Sequence, residues 1–179
     1  IESDLPAIHP GLSGAGIQKL KRLLAAIARS APFTPDMKRL KQMIDIGDER
    51  TLKTYLVHLD DGKAITCLQK ANKSIRGLEK PEKIYLNNPN QAFAICDPNQ
   101  VNPGTLRELF FLCMVRENHA VTIPPKGDFL VDDRLVFEVG GKGKIFKQIK
   151  DLPDSYLAVD GIEHGMGARI PLWIFGFMY

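Results

Sequence analysis

GDFLVDDRLVFEVGGKGK, residues 127–144, decides how this chain is read. Two apolar runs flank a polar centre at Asp132-Asp133, the pattern of a β-hairpin. One carboxylate stands on each strand, Asp128 and Glu138. Whether they meet is a question of parity, because directly opposed residues of an antiparallel pair share a face. A two-residue turn at Asp132-Asp133 sets Asp128 against Phe137 and puts Glu138 on the wrong face. A three-residue turn, Asp132–Arg134, sets Asp128 against Glu138. That turn wants a residue in the left-handed region, which Asp tolerates better than most residues. A bulge near Gly140 would give the same parity.

If the two carboxylates meet, they lie between apolar strands, where unpaired charge is costly. Mg²⁺ or Mn²⁺ would satisfy them, since hard cations prefer oxygen ligands. Such an ion polarises a phosphodiester and supplies hydroxide. Glu108, on the preceding helix, could be a third ligand. The alternative is a plain salt bridge of Glu138 with Lys142, Lys144 or Arg107.

The surroundings of the hairpin set the fold class. TLRELFFLCMVREN is a helix with an apolar face of Leu106, Leu109, Phe110, Cys113 and Met114. AVTIP is a short strand, KIFKQIK a short helix, and SYLAVD a buried strand. Helix, three strands, helix, strand is the core order of restriction-endonuclease-like folds. The apolar tail IPLWIFGFMY is far below the ~20 residues of a membrane span, and is expected to end inside a core.

The front half has a different pattern. IESDLPAIHPGLSGAG, rich in Pro and Gly, suggests a tether. In IQKLKRLLAAIARS, Leu20, Leu23, Leu24 and Ile27 form one helical stripe, and Pro32 follows as a stop. In TPDMKRLKQMI, Thr34 can cap and Pro35 suits the first helical position, with Met37, Leu40 and Ile44 as the stripe. In DERTLKTYLVHLDDG, Asp48 caps, Leu52, Tyr55, Leu56 and Leu59 are apolar, and Gly62 ends the helix. The short turn around Asp45–Gly47 makes the last two a helix-turn-helix. AITCLQK, the loop ANKSIRG and the return EKPEKIYL add a wing. The third helix would offer Arg50, Lys53, Thr54 and His58 to a DNA groove, and Lys73 and Arg76 on the wing would touch the backbone. PNQAFAICDPNQVNPG is a loop or a poor helix.

Charge fits a polyanion partner. Residues 17–80 hold 14 Lys/Arg against 7 Asp/Glu, a net of +7, while the rest of the chain nets −4. A basic half suits DNA, although a lysine-rich solvated surface has the same composition. With 179 residues, 44% hydrophobic and 25% charged, the chain is an ordinary soluble protein of one domain or two small ones. It opens on Ile1 with no signal peptide, as a fragment or processed product would. Three cysteines without a CxxC suit reduced, buried thiols of a cytoplasmic protein, and the four scattered histidines argue against zinc.

The runs KPEKIYLNN, GTLRELFF, GDFLVDDRLVFEVGGKGK and SYLAVDGIEHGMGARIPLWIFGFMY resemble the C-terminal part of bacterial predicted AAA+ ATPases. APFTPDMKRL and ERTLKTYLVHLDD match the region before it, so the resemblance covers nearly the whole chain. It implies a parent with a P-loop ATPase, a winged helix and a C-terminal domain of unknown function similar to the PD-(D/E)XK nuclease fold. Residues 1–16 would be the linker from the ATPase domain, 17–80 the winged helix and 83–179 the nuclease-like domain, an α+β protein. No GxxxxGK[ST] occurs here, so ATP belongs to the missing domain. By position, Glu108, Asp128 and Glu138 match the acidic residues of the signature, as metal ligands. The signature lysine falls at Gly140, which can neither orient water nor neutralise charge. Lys142, or less well Lys144, could substitute, and Gln148 resembles a glutamine of some nuclease branches.

Three roles follow. The first is a nucleic-acid-associated module whose nuclease-like domain falls short of full competence. The second is an active Mg- or Mn-dependent nuclease using Asp128, Glu138 and Lys142. The third is an interaction or regulatory module of the ATPase, open to oligomerisation, with no DNA role.

Overall fold

The computed structural model describes residues 1–29, 32, 34–71 and 80–178. The fold is mixed α and β, in two compact units: Ile1–Cys67 with Ser74–Val101, and Leu68–Lys73 with Asn102–Tyr179. The division differs from a boundary at residue 83, because the strand and helix after it belong to the first unit.

The first unit holds α1 (Asp4–Ile8), α2 (Gly14–Ala28), α3 (Met37–Met43), α4 (Glu49–Asp61), β1 (Ile65–Leu68), β2 (Lys83–Leu86) and α5 (Pro89–Ile95). The stripes predicted for α2, α3 and α4 are buried, with Leu20, Leu23, Ile27, Ile44, Leu52 and Leu59 fully enclosed. The start of α3 lies later than Thr34-Pro35. Asp36 is the cap, its carboxylate accepting the Arg39 N–H at 3.0 Å. Asp48 caps α4 as expected, through the Thr51 N–H at 2.7 Å. Between α3 and α4, Asp45 takes a left-handed conformation (φ 54°). β1 and β2 pair as a two-stranded sheet. The start of PNQAFAICDPNQVNPG is α5, a real helix, because Asn88 and Gln91 form a reciprocal capping box. The loop carrying Lys73 and Arg76 lies outside the described residues.

Residues 1–16 are not a bare tether. Leu5 is buried and packs under Gly62, where a Cβ would come within 2.3 Å of the leucine methyl. His9 stacks on His58 with ring centroids 3.8 Å apart. His58 is therefore half-buried against α1 and not offered outward. Burial, with His9 beside it, lowers its pKa, against the pull of Asp61.

The second unit holds α6 (Pro103–Val115), β3 (Val121–Thr122), β4 (Phe129–Val131), β5 (Leu135–Gly140), β6 (Ser155–Val159), β7 (Arg169–Pro171) and a 3₁₀ turn, Leu172–Phe177. The sheet order is β3-β4-β5-β6-β7, antiparallel as far as β5 and parallel from there on. α6 begins at Pro103, with Asn102 capping Gly104 N–H at 2.7 Å. It buries Leu109, Phe111, Leu112, Cys113 and Val115, and leaves Leu106, Phe110 and Met114 half-buried. The helix is apolar nearly all round, so the stripe read from the sequence was rotated from the true one. Phe111 meets Phe129, Phe137 and Phe175 at centroid distances of 4.7–5.3 Å.

The other face of the sheet carries Leu130, Val136, Leu157 and Val159, packed with Phe146, Ile149 and Leu152. KIFKQIK forms turns, not the expected helix. Seven residues nucleate a helix poorly, and the Ser155 hydroxyl bonds the carbonyls of Ile149 and Leu152 instead. The tail is buried only in part. A three-residue repeat turns Leu172 and Phe175 inward and leaves Trp173, Ile174 and Phe177 exposed. Among the described residues no helix is long and apolar enough to cross a membrane. Cys113 is buried and its thiol is pushed up to about 11; Cys67 and Cys96 are only partly buried, and none of the three is in a disulfide.

Leu5→Ala tests whether the N-terminal segment is integral. The truncation should lower the unfolding free energy by about 2–4 kcal/mol, measured by urea denaturation. An unchanged midpoint would return residues 1–16 to the role of tether.

Candidate functional site

The hairpin takes the three-residue turn. Phe129 pairs with Phe137, Leu130 with Val136 and Val131 with Leu135, leaving Asp132–Arg134 as the loop. The pairing stops at Phe129: Asp128 N–H donates to the same Phe137 carbonyl, at 2.9 Å, so two residues of one strand face one of the other and the strand bulges at Asp128 before it can pair with Glu138. Two aspartates accept the left-handed conformation, Asp132 at φ 50° and Asp133 at φ 53°. Asp132 is held there by its own carboxylate, which accepts Ala120 N–H at 3.0 Å and meets the His119 ring nitrogen at 2.6 Å. The His119 contact and the Ala120 N–H keep its pKa below the usual carboxylate range.

Glu138 sits on the face of Val136 and Leu157, 2% exposed. Its Oε1 is 2.8 Å from Lys144 Nζ. Its Oε2 is buried and has no hydrogen-bond partner. Asp128 Oδ2 accepts the Val139 N–H at 2.8 Å, which fixes that carboxylate at the end of β4.

Lys144 reaches Glu138 because residue 140 is glycine. A Cβ on Gly140 would lie 2.7–2.9 Å from the Cβ, Cγ and Cδ of Lys144. The lysine stem fills the space in which a side chain at 140 would stand. The turn Gly141–Lys144, closed by Lys144 N–H to Gly141 O at 2.8 Å, folds the lysine back. Arg169 on β7 clamps that turn, donating to the carbonyls of Lys144 at 3.0 Å and Lys142 at 3.2 Å. Lys142, named from the sequence as the substitute, is exposed; its Cβ lies toward Gly161, and it is Lys144 that pairs with Glu138. Partial burial works against the Lys144 ammonium. The Glu138 hydrogen bond and the charges of Asp128, Glu138 and Glu108 outweigh it, so its pKa is raised.

Glu108 thus acts on Lys144 through its field. Among the described residues, no three His, Cys, Asp or Glu side chains are grouped so as to hold a metal ion. Glu138 has one oxygen without a hydrogen-bond partner among the described residues, and the Asp128 charge acts on the same lysine. Gln148 is exposed on a turn. The sequence reading missed Arg169, whose role appears only once β7 lies beside β6.

On α4, Arg50 is exposed and accepts at its carbonyl the Thr54 hydroxyl, 3.0 Å away. Lys53 pairs with Glu49 at 2.9 Å. Of the four helix residues named for DNA contact, Lys53 and Thr54 are therefore engaged within the helix and His58 is stacked on His9. No family model matches the chain, and no curated protein or solved structure matches it.

Lys144→Met strands a buried carboxylate and should cost about 3 kcal/mol at pH 8. Because the folded state raises the lysine pKa, the stabilisation is complete below lysine's ordinary ~10.4 and fades as pH climbs through the higher folded value. The gap between wild type and variant in urea midpoint should accordingly narrow at strongly alkaline pH. A gap that stays constant would show that packing of the stem, not charge, is responsible.

Proposed function

We propose that this chain is the nucleic-acid-handling C-terminal part of a bacterial AAA+ ATPase, and that its second unit is a metal-dependent phosphodiesterase site of the PD-(D/E)XK type. The observation that carries the reading is the buried Oε2 of Glu138, which has no hydrogen-bond partner among the described residues, with the Asp128 charge near enough to act on the same Lys144. A salt bridge kept for stability alone is a weak device, since apolar residues often do as well. Leaving one carboxylate oxygen buried without a donor adds a further cost. A cation on that oxygen would remove both objections.

A bound Mg²⁺ or Mn²⁺ would supply Lewis acidity and a water acidified toward neutrality. The chain's own residues do the rest. Asp128 is fixed by the Val139 N–H and Glu138 by the Lys144 ammonium, so both carboxylates are preorganised. Lys144 stands where the signature lysine would reach, and its raised pKa keeps it charged at neutral pH. It therefore acts by orienting the attacking water and neutralising charge on the phosphoryl oxygens, not as a general base. The active reading gains over a nuclease shape without competence, because the missing lysine at Gly140 is supplied from four residues on.

Helices α2, α3 and α4 with strands β1 and β2 support a winged helix that docks DNA, with Arg50 as the exposed cation of α4. Engagement of Lys53 and Thr54 within the helix shifts the weight of docking to Arg50 and to the loop of Lys73 and Arg76.

With Mn²⁺, the wild-type chain should nick supercoiled DNA or cut single strands. Glu138→Ala should abolish cleavage, Lys144→Ala should lower kcat by about 10², and Lys142→Ala should leave it unchanged. No cleavage by wild type, or cleavage surviving in Glu138→Ala, would sink the reading. For docking, Arg50→Ala should reduce the salt slope of DNA binding by ~1; an unchanged slope would remove α4 from the interface.

A further inference from the structure

Beside the carboxylate site, between α6 and the C-terminal 3₁₀ turn, lies a cleft of about 320 Å³. Leu106, Phe110 and Leu172 form its apolar walls, Trp173 its exposed lip, and Arg107 with Asp160 its polar edge. We propose that this cleft takes an unpaired nucleobase of the strand whose phosphate is held at Glu138 and Lys144. The inference rests on the phosphodiesterase reading and adds to it a preference for single-stranded or unstacked substrate.

Size comes first. The volume is at the small end of the ~300–1,000 Å³ typical of ligand sites, room for one ring system and not for an extended chain. Shape and chemistry follow. Trp173 is 52% exposed, although it is the largest apolar side chain of the unit. It meets Phe177 edge to face at 6.1 Å and 86°. An indole left open is a stacking platform, and every base has a π-face to lay on it.

The polar edge narrows the choice of occupant. Arg107 Nε donates to Asp160 Oδ2 at 2.8 Å. The guanidinium lies flat over Gly141, 3.3–3.5 Å from where a Cβ would stand, so a side chain at 141 would displace it. The ion pair engages Nε and one carboxylate oxygen. The outer guanidinium nitrogens and the other oxygen remain, a donor and an acceptor side by side. A nucleobase edge offers the complementary pair. An aliphatic side chain of a protein partner would fill the walls and leave this edge unmatched, at a desolvation cost.

Position links the cleft to the carboxylates. Asp160 N–H donates to the Gly140 carbonyl at 2.8 Å, and Gly140 is the residue that Lys144 crosses to reach Glu138. The polar edge of the cleft and the lysine thus flank a single peptide. A base seated in the cleft brings its own backbone to the Gly140–Lys144 turn.

Trp173 is the chain's sole tryptophan, so fluorescence excited beyond the tyrosine absorption band reports on the cleft alone. The full chain, in EDTA to prevent cutting, is titrated with a short oligodeoxythymidylate and with an abasic backbone of equal length and charge. The oligodeoxythymidylate should quench Trp173 saturably and the abasic strand should not. By anisotropy of a labelled oligonucleotide, Trp173→Leu should bind about tenfold more weakly and Trp173→Tyr should recover most of the loss. Equal quenching by both strands, no quenching by either, equal loss in the Leu and Tyr variants, or quenching by an aromatic peptide in place of the oligonucleotide would each overturn the proposal. Cleavage in Mn²⁺ is scored on the same preparation. Base-dependent quenching without cleavage keeps the cleft and rejects the phosphodiesterase. Cleavage without quenching does the reverse.

Discussion

The carboxylate of Asp132 accepts the Ala120 N–H and contacts His119, and in doing so pins a loop of three residues between β4 and β5. Much of the second unit depends on that count. Side chains alternate along a strand, so a loop one residue shorter would exchange the two faces of β5. Phe137 would leave Phe111, Phe129 and Phe175, and Glu138 would enter that aromatic cluster as a buried charge. The register that completes the aromatic core is the same register that turns Glu138 to the opposite face of β5, where Lys144 meets it. Core and site are two consequences of one turn. A lesion in the turn should therefore damage stability and chemistry together.

Gly140 imposes the second constraint. Any side chain there would collide with Lys144, so the residue at 140 and the residue that pairs Glu138 exclude one another. A charge supplied from a turn is less firmly placed than one supplied from a strand. The structure compensates by clamping the turn from β7, where Arg169 holds two of its carbonyls. The ammonium is thereby delivered to the row of Val136, Glu138 and Leu157, and its stem covers what would otherwise be a gap in the sheet face.

The sequence made the existence of α2, α3 and α4 plain, since each carries one sharp apolar stripe and Asp48 announces its own helix. It made the hairpin plain too, and reduced the site to a choice between two loop lengths. It could not make that choice, because the forces that decide it come from His119 and Ala120, at a distance in the chain. α6 was legible as a helix but not in its rotation, for a helix apolar all round leaves periodicity nothing to discriminate. Lys144 was ranked behind Lys142 on the assumption that β5 continues past Gly140. A turn begins there instead, and a turn changes which lysine comes back. The burial of Leu5 was hidden by the Pro and Gly around it, which mark irregular backbone but say nothing of whether one leucine finds a pocket.

The rotation of α6 also bears on why an apolar cleft should stand next to a charged site. A helix with a single stripe could either close the aromatic core or line a cleft. PGTLRELFFLCMV does both, burying Phe111 while Leu106 and Phe110 remain at the surface. Adjacent residues on this helix serve separate ends: Arg107 turns to Asp160 and the cleft, while the charge of Glu108 is felt at Lys144. One turn of helix thus joins a stacking surface to an electrostatic one. A folded protein gains little stability from leaving Trp173 and Phe110 incompletely covered, as burial of such rings is among the larger favourable contributions available to it. Retaining that exposed surface beside two preorganised carboxylates is more readily understood as recognition of a ring attached to a phosphate than as incomplete packing.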